Sequence, residues 1–364
     1  MIGRRALAGL IGAGLILPPS TLALGQAPPA GQPRFAPVRP GTRLRFPADH
    51  GAHPAFRTEW WYVTGWLRAG SQTLGFQITF FRSRPAIDQR NPSAFAPRQI
   101  IFAHAALSDP AIGRLIHAQK IARAGFGLAE AWTGDLDLVL DDWRMARSAD
   151  DVLHAQVSDD GFALDLQLTP SQPVLLQGDG GFSRKGPEPE QSSYYYSWPH
   201  LKVAGALTRE GRRMAVSGEA WLDHEWSSTL LDARAVGWDW VGLNLDDGGA
   251  LTAFQVRDAE GRAVWAGGSL RDRGGGVTIF GPEDVAFLTR GWWRSPRTGA
   301  RYPIARDVQV RTAEGLRTWR LEPLFDDQEL DSRPIGPVYW EGAVRGDGAR
   351  GYLELTGYEA PLAL

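Results

Sequence analysis

From residue 58 onward, apolar and polar residues alternate in short runs broken by Gly, Pro, Asn and Asp. This is the two-residue period of β-strands, not the 3.6-residue period of helices. The runs are "TEWWYVTGWL" (58–67), "TLGFQITFFR" (73–82), "QIIFAHAALSD" (99–109), "DLDLVLDDWRM" (135–145), "FALDLQLTP" (162–170), "HLKVAGALT" (200–208) and "MAVSGEAWLD" (214–223). After Asp232 the pattern resumes in "GWDWVGLNLDDGGALTAFQVRD" (237–258), where Asp247-Gly248-Gly249 marks a hairpin. "VWAGGSL", "TWRLEPLF", "PVYWEGAVR" and "GYLELTGY" complete the series. No long stretch keeps a helical period, and at most one helix is expected, over 227–236 or 282–289. The class predicted is all-β, with a β domain over 49–232 and a second over 233–364, each with enough strands for its own barrel or sandwich. A weak echo between "TEWWYVTGWL" and "GWDWVGLNL" hints that the halves are related.

The first residues break this pattern. Arg4 and Arg5 precede an apolar run from Ala6 to Leu17, and Gly25-Gln26-Ala27 offers small residues for cleavage. Residues 1–27 therefore read as a signal peptide, with twin-arginine export a plausible route, and 28–48 as a Pro-rich linker. A periplasmic or secreted protein is expected. Removing residues 1–27 takes away two arginines and no acid, so the net charge of −2 becomes −4. No basic face advertises a nucleic-acid partner. Cysteine is absent, which excludes thiol chemistry and leaves stability to packing. Apolar residues at 43% suffice for a real core, and 15 Trp make aromatic surfaces part of the design.

The candidate chemistry sits in "AWLDHEWSSTLL" (220–231). On a strand, Glu219, Trp221, Asp223 and Glu225 share one face, while His224 and Trp226 share the other with Ala220 and Leu222. A lone imidazole among apolar neighbours is most often a satisfied core histidine; the three carboxylates beside an indole fit full exposure less well. In "TEWWYVTGWL" the same parity groups Trp60, Tyr62 and Trp66 opposite Glu59 and Trp61. Tyr194, Tyr195 and Tyr196 cannot all face one core, so at least one phenol meets a surface or pocket. The pair His50-x-x-His53 resembles a metal pair but lacks an obvious third ligand. No nucleophile elbow, phosphate loop or dinucleotide fingerprint is present, and neither cofactor nor metal is expected.

The motifs "HPAFRTEWWYVTGWL", "YYYSWP", "SGEAWLDHEW", "GWDWVGLNL" and "YWEGAV…GYLELTGY" together resemble the AttH-like proteins, which are similar in turn to the carotenoid 1,2-hydratases. The resemblance implies two tandem lipocalin-like β-barrels and a long apolar ligand, isoprenoid or lipid-like, in an aromatic-lined cavity, expected within a barrel interior. It implies either cofactor-free hydration or hydrolysis, or a non-catalytic carrier working beside an ABC-type exporter permease. His224-Glu225-Trp226 matches the hydratases' His-x-Trp pair, whereas their Tyr-x-Asp pair has no match around 251–258; Phe254 and Asp258 stand nearest. The expected catalytic residues are thus Asp223 or Asp239 as acid, His224 orienting water, and Trp226 facing a developing cation. Glu59, Trp60, Tyr62, Tyr195, Glu219, Trp221, Glu225, Trp238, Trp240 and Phe254 are the expected ligand contacts.

Overall fold

The computed structural model describes residues 35–87 and 91–362. The expected signal peptide (1–27) and residues 28–34 of the expected linker lie outside the described residues. The chain folds into two antiparallel sheets, two tandem lipocalin-like β-barrels that divide it between Thr229 and Gly237. The first sheet contains β1 (Thr58–Ala69), β2 (Gln72–Ser83), β3 (Ile100–Asp109), β4 (Arg114–Arg123), β5 (Ala129–Ala131), β6 (Asp137–Leu140) and β7 (Trp143–Arg147). It continues with β8 (Leu153–Ser158), β9 (Ala163–Pro170), β10 (Leu175–Leu176), β11 (Phe182–Arg184), β12 (Ser192–Arg209) and β13 (Arg212–Thr229). The second contains β14 (Gly237–Leu245), β15 (Ala250–Arg257), β16 (Ala263–Arg271), β17 (Val277–Phe280) and β18 (Val285–Arg294). It ends with β19 (Arg301–Thr312), β20 (Gly315–Pro323), β21 (Glu329–Asp331), β22 (Val338–Gly346) and β23 (Ala349–Leu355).

In each sheet the opening strand pairs with both the next strand and the last one, β1 with β2 and β13, β14 with β15 and β23. The two echoing segments therefore occupy corresponding places. Neither expected helix forms: 227–229 finishes β13 and 285–289 begins β18, and among the described residues the only helical turn is the 3₁₀ segment Ala48–His50. The run 135–145 splits into β6 and β7 at Asp141, whose φ of 58° turns the chain. The described part of the linker is tied to the first barrel: the Arg39 amide donates to the Tyr194 hydroxyl at 2.9 Å, and Ser228 Oγ donates to the Ala36 carbonyl at 2.6 Å.

Both barrels are filled. Trp61, Val63, Phe76, Phe80, Trp143, Tyr196 and Leu222 belong to one core; Val241, Leu243, Tyr302, Trp340 and Leu353 belong to the other. A third apolar cluster, with Tyr62, Trp66, Trp221, Trp240, Phe254 and Tyr352, lies where the outer face of β1 and β13 meets the outer face of β14, β15 and β23. The sheets are also bonded across this seam. Trp66 Nε1 donates to the Gly351 carbonyl (3.1 Å), and Gln177 Nε2 to both Ser197 Oγ (2.8 Å) and Thr252 Oγ1 (2.9 Å). Antiparallel sheets commonly leave one face to water; here both faces of β1 are covered, and its residues 61–67 are all buried.

The seam is tight at Gly75, where an added Cβ would lie 2.6 Å from the Tyr352 hydroxyl and 2.8 Å from Ala343 Cβ. Gly75→Val is expected to force the sheets apart and destabilise the fold by about 1–3 kcal/mol, read as a lower urea midpoint.

Candidate functional site

Strand parity builds the site. Trp60 and Tyr62 on β1 lie opposite Glu225 and Asp223 on β13, and opposite Phe81 and Thr79 on β2. On the other side of β13, Tyr195 faces Glu225 across the pair with β12. This outward face of the first sheet, together with Trp238, Trp240, Phe254, Tyr339, Glu341 and Glu354 of the second, encloses a cavity of about 620 Å³. Its rim is formed by Leu230, Leu231, Pro334–Val338 and Glu359–Leu362. The volume suits a small organic ligand. The expectation of a ligand inside a barrel is corrected: side chains fill both barrel interiors, and the room lies between the barrels.

Asp223 is the most constrained acid here. Ser197 Oγ and Trp221 Nε1 both donate to its Oδ1, at 2.5 and 2.8 Å. Burial nonetheless pushes its carboxyl up to about 7, against the pull of those bonds, and the neighbouring Glu225 charge adds to the rise. Glu225 lies 3.1 Å from the Lys185 ammonium. That ammonium sits 4.5 Å from the Tyr195 ring centre and 4.3 Å from that of Phe254. Burial lowers the Lys185 pKa, while Glu225 and Asp223 oppose the shift. Across the cavity, burial holds Glu341 well above the carboxylate range and the Glu354 charge adds to it. Burial, with Asp223 and Glu225 contributing, pushes Glu354 up to about 7. Among the described residues, the buried Tyr62 hydroxyl and Glu341 Oε1 find no well-formed hydrogen bond. A pocket of aromatic walls thus holds several carboxyls that keep or readily exchange a proton near neutrality.

Most of the other expected residues lie elsewhere, while Glu59 borders the cavity but turns its carboxylate into the first barrel. His224 and Trp226 point from the opposite face of β13 into the first barrel; His224 has no exposed surface and stacks on Trp61 with centroids 4.6 Å apart. Neither lines the cavity. His224 Nε2 is 2.9 Å from Glu59 Oε1, and burial pushes its pKa down to about 4 against that contact. Glu59 also receives Arg82 Nε at 2.6 Å. Asp239 turns inward in the second sheet, held by Arg257 Nε (2.7 Å), Arg306 and the Tyr358 hydroxyl (2.9 Å). It alternates with Trp238 and Trp240, which do face the cavity. Glu219 pairs with His200 Nδ1 at 2.8 Å and, with Trp221, lines a smaller cavity of about 470 Å³.

Sequence reasoning missed Lys185, Tyr339, Glu341 and Glu354. Glu341 and Glu354 stand in "YWEGAV" and "GYLELTGY", apolar runs in which a lone acid at an otherwise buried parity position was the available signal.

Residues 37–358 match the AttH-like family. The chain is 54% identical to a crystal structure from Nitrosomonas europaea named for AttH, covering 89% of this chain and 100% of that one, with a TM-score of 0.82. Kievitone hydratase from Nectria haematococca shares the fold at 13% identity and a TM-score of 0.64, covering 88% and 95% of the two chains. CghA does so at 12% identity and a TM-score of 0.51, covering 85% and 89%. Against the curated proteins the chain has no significant match.

The raised Asp223 pKa has a thermodynamic sign. The folded chain binds this proton more tightly than the unfolded one, so the contribution to stability is present at low pH and is lost as pH rises from 3.8 through about 7. Urea unfolding of Asp223→Asn over roughly pH 4–8 is expected to show a flatter decline in stability with pH than the parent.

Proposed function

The chain belongs to the AttH-like family, and on that premise we propose that it is a cofactor-free hydratase acting on an unsaturated, largely apolar small molecule held between its two barrels. The observation that carries this reading is the pairing of unlike carboxyls on one strand face. Asp223, with a pKa near 7, keeps its proton available, while Glu225 lies beside the Lys185 ammonium. Two positions apart on a strand, their Cα atoms are separated by roughly 6.5–7 Å, room for a reacting carbon and a water. Groups whose surroundings differ in this way divide into acid and base.

Hydration then balances in three movements. The Asp223 carboxyl protonates the alkene carbon; water adds to the cation so formed; the proton released by that water passes to the Glu225 carboxylate and returns to Asp223 through solvent. The π faces of Trp60, Trp238 and Trp240 at the cavity wall favour the cationic centre. The hydratase name of one structural relative agrees with this chemistry. Export to the periplasm, expected from the first residues, belongs to the same proposal.

The test is incubation of the purified protein with acyclic terminal alkenes of isoprenoid type in ¹⁸O-labelled water. One labelled oxygen per product is expected. Asp223→Asn should lower kcat by about 10²–10⁴-fold while ligand affinity stays within a few-fold. Tight binding of the same compounds without turnover would sink the hydratase reading and leave the carrier.

A further inference from the structure

On the far side of β13 a second polar cluster is built for a different purpose. His53 Nδ1 lies 2.6 Å and His224 Nε2 2.9 Å from the same oxygen, Glu59 Oε1. The donor atoms of His53, Glu59 and His224 all lie within 4.8 Å of one another. What the outer nitrogens do is decisive. His53 Nε2 faces Asp49 Oδ1 at 3.1 Å, and His224 Nδ1 faces the Asp49 carbonyl at 3.1 Å. Both partners accept only, as does Glu59 Oε1, so each ring has an acceptor on either side, and a neutral imidazole has one N–H with which to meet them. With that N–H turned outward to Asp49, the inner nitrogens present lone pairs beside Glu59 Oε1, and these three donors within 4.8 Å of one another are placed to share a cation.

We propose that His53 Nδ1, Glu59 Oε1 and His224 Nε2 form a site for a zinc-type divalent ion. Two imidazoles and one carboxylate are a donor set that such an ion takes, with a fourth position left for water. The outward bonds to Asp49 match the supporting contacts of ligating histidines, which give their second N–H to a carboxylate or a backbone carbonyl. Arg82 Nε (2.6 Å) and the His53 amide (2.8 Å) both donate to the other Glu59 oxygen, Oε2, while Oε1 takes only a longer contact from that amide at 3.1 Å and has a lone pair for the ion. A tetrahedral ion with bonds of about 2.0–2.1 Å holds its donors roughly 3.3 Å apart, so each imidazole would withdraw from Glu59 by about half an ångström and the two rings, whose donors lie within 4.8 Å, would settle at the same spacing. Entry is from the Asp49 side, where the His53 side chain is 16% exposed. The ion would fasten the loop that carries His53 to β1 and β13, independently of the chemistry proposed for the other face.

The mature protein, prepared without a histidine tag and stripped by chelator, is titrated with Zn²⁺ and separately with Co²⁺. One equivalent of each is expected to bind, Co²⁺ with visible absorption bands of a four- or five-coordinate site, and Zn²⁺ with a rise in Tm. His53→Gln, at a partly exposed position that leaves both cores intact, should weaken binding by more than about 100-fold. His50→Asn should not, since His50 bonds the Tyr196 hydroxyl and takes no part in the cluster. Circular dichroism of both variants establishes that they are folded. Absence of stoichiometric uptake, or uptake undiminished in His53→Gln, would overturn the proposal and leave a network that shares protons.

Discussion

The double burial of β1 and β13 is the constraint from which the rest follows. Each strand gives one face to the core of its own barrel and the other to the seam with the second sheet. Any polar side chain at their buried positions, Glu59, 61–67 and 220–227, must therefore find its partners inside the protein or give up its charge, because a lone buried charge is prohibitively costly. Both solutions are visible. Asp223 accepts bonds from Ser197 and Trp221 and still holds its proton near neutrality; Glu59 gathers Arg82 and two histidines. The seam's own hydrogen bonds run through Gln177, which links Ser197 in the first sheet to Thr252 and Ser269 in the second.

Strand β13 consequently works as a partition. Successive residues Asp223, His224 and Glu225 point alternately to the interbarrel cavity, the barrel interior and the cavity again. One backbone thickness separates an acidic, aromatic-walled space from a cluster rich in imidazole. Adjacency in sequence brings these three residues together on the page, while the pleat assigns them to two different environments.

Much of this was legible in advance. The two-residue period located most strands, and parity alone grouped Trp60 with Tyr62 and Asp223 with Glu225, because a strand has only two faces. Parity could not say which face meets the cavity: that depends on how the second sheet docks, a contact between residues far apart in the chain. His224 therefore looked as eligible as Asp223, and Asp239 as eligible as its neighbours Trp238 and Trp240. The third ligand-type group near His53 escaped notice for the same reason, since His224 joins it only when β1 pairs with β13. Glu341 and Glu354 hid within apolar runs because one acid hardly alters a pattern read by period. The expected cavity was placed inside a barrel, and the filled interiors of both barrels move it to the space between them.

A chamber bounded by the outsides of two separately packed barrels separates the demands of endurance from those of choice. Substitutions on the second sheet's outer face, or in the segments around the entrance, can reshape what fits without opening a hole in either core. The shape of the space between the barrels can change while the scaffold stays standing.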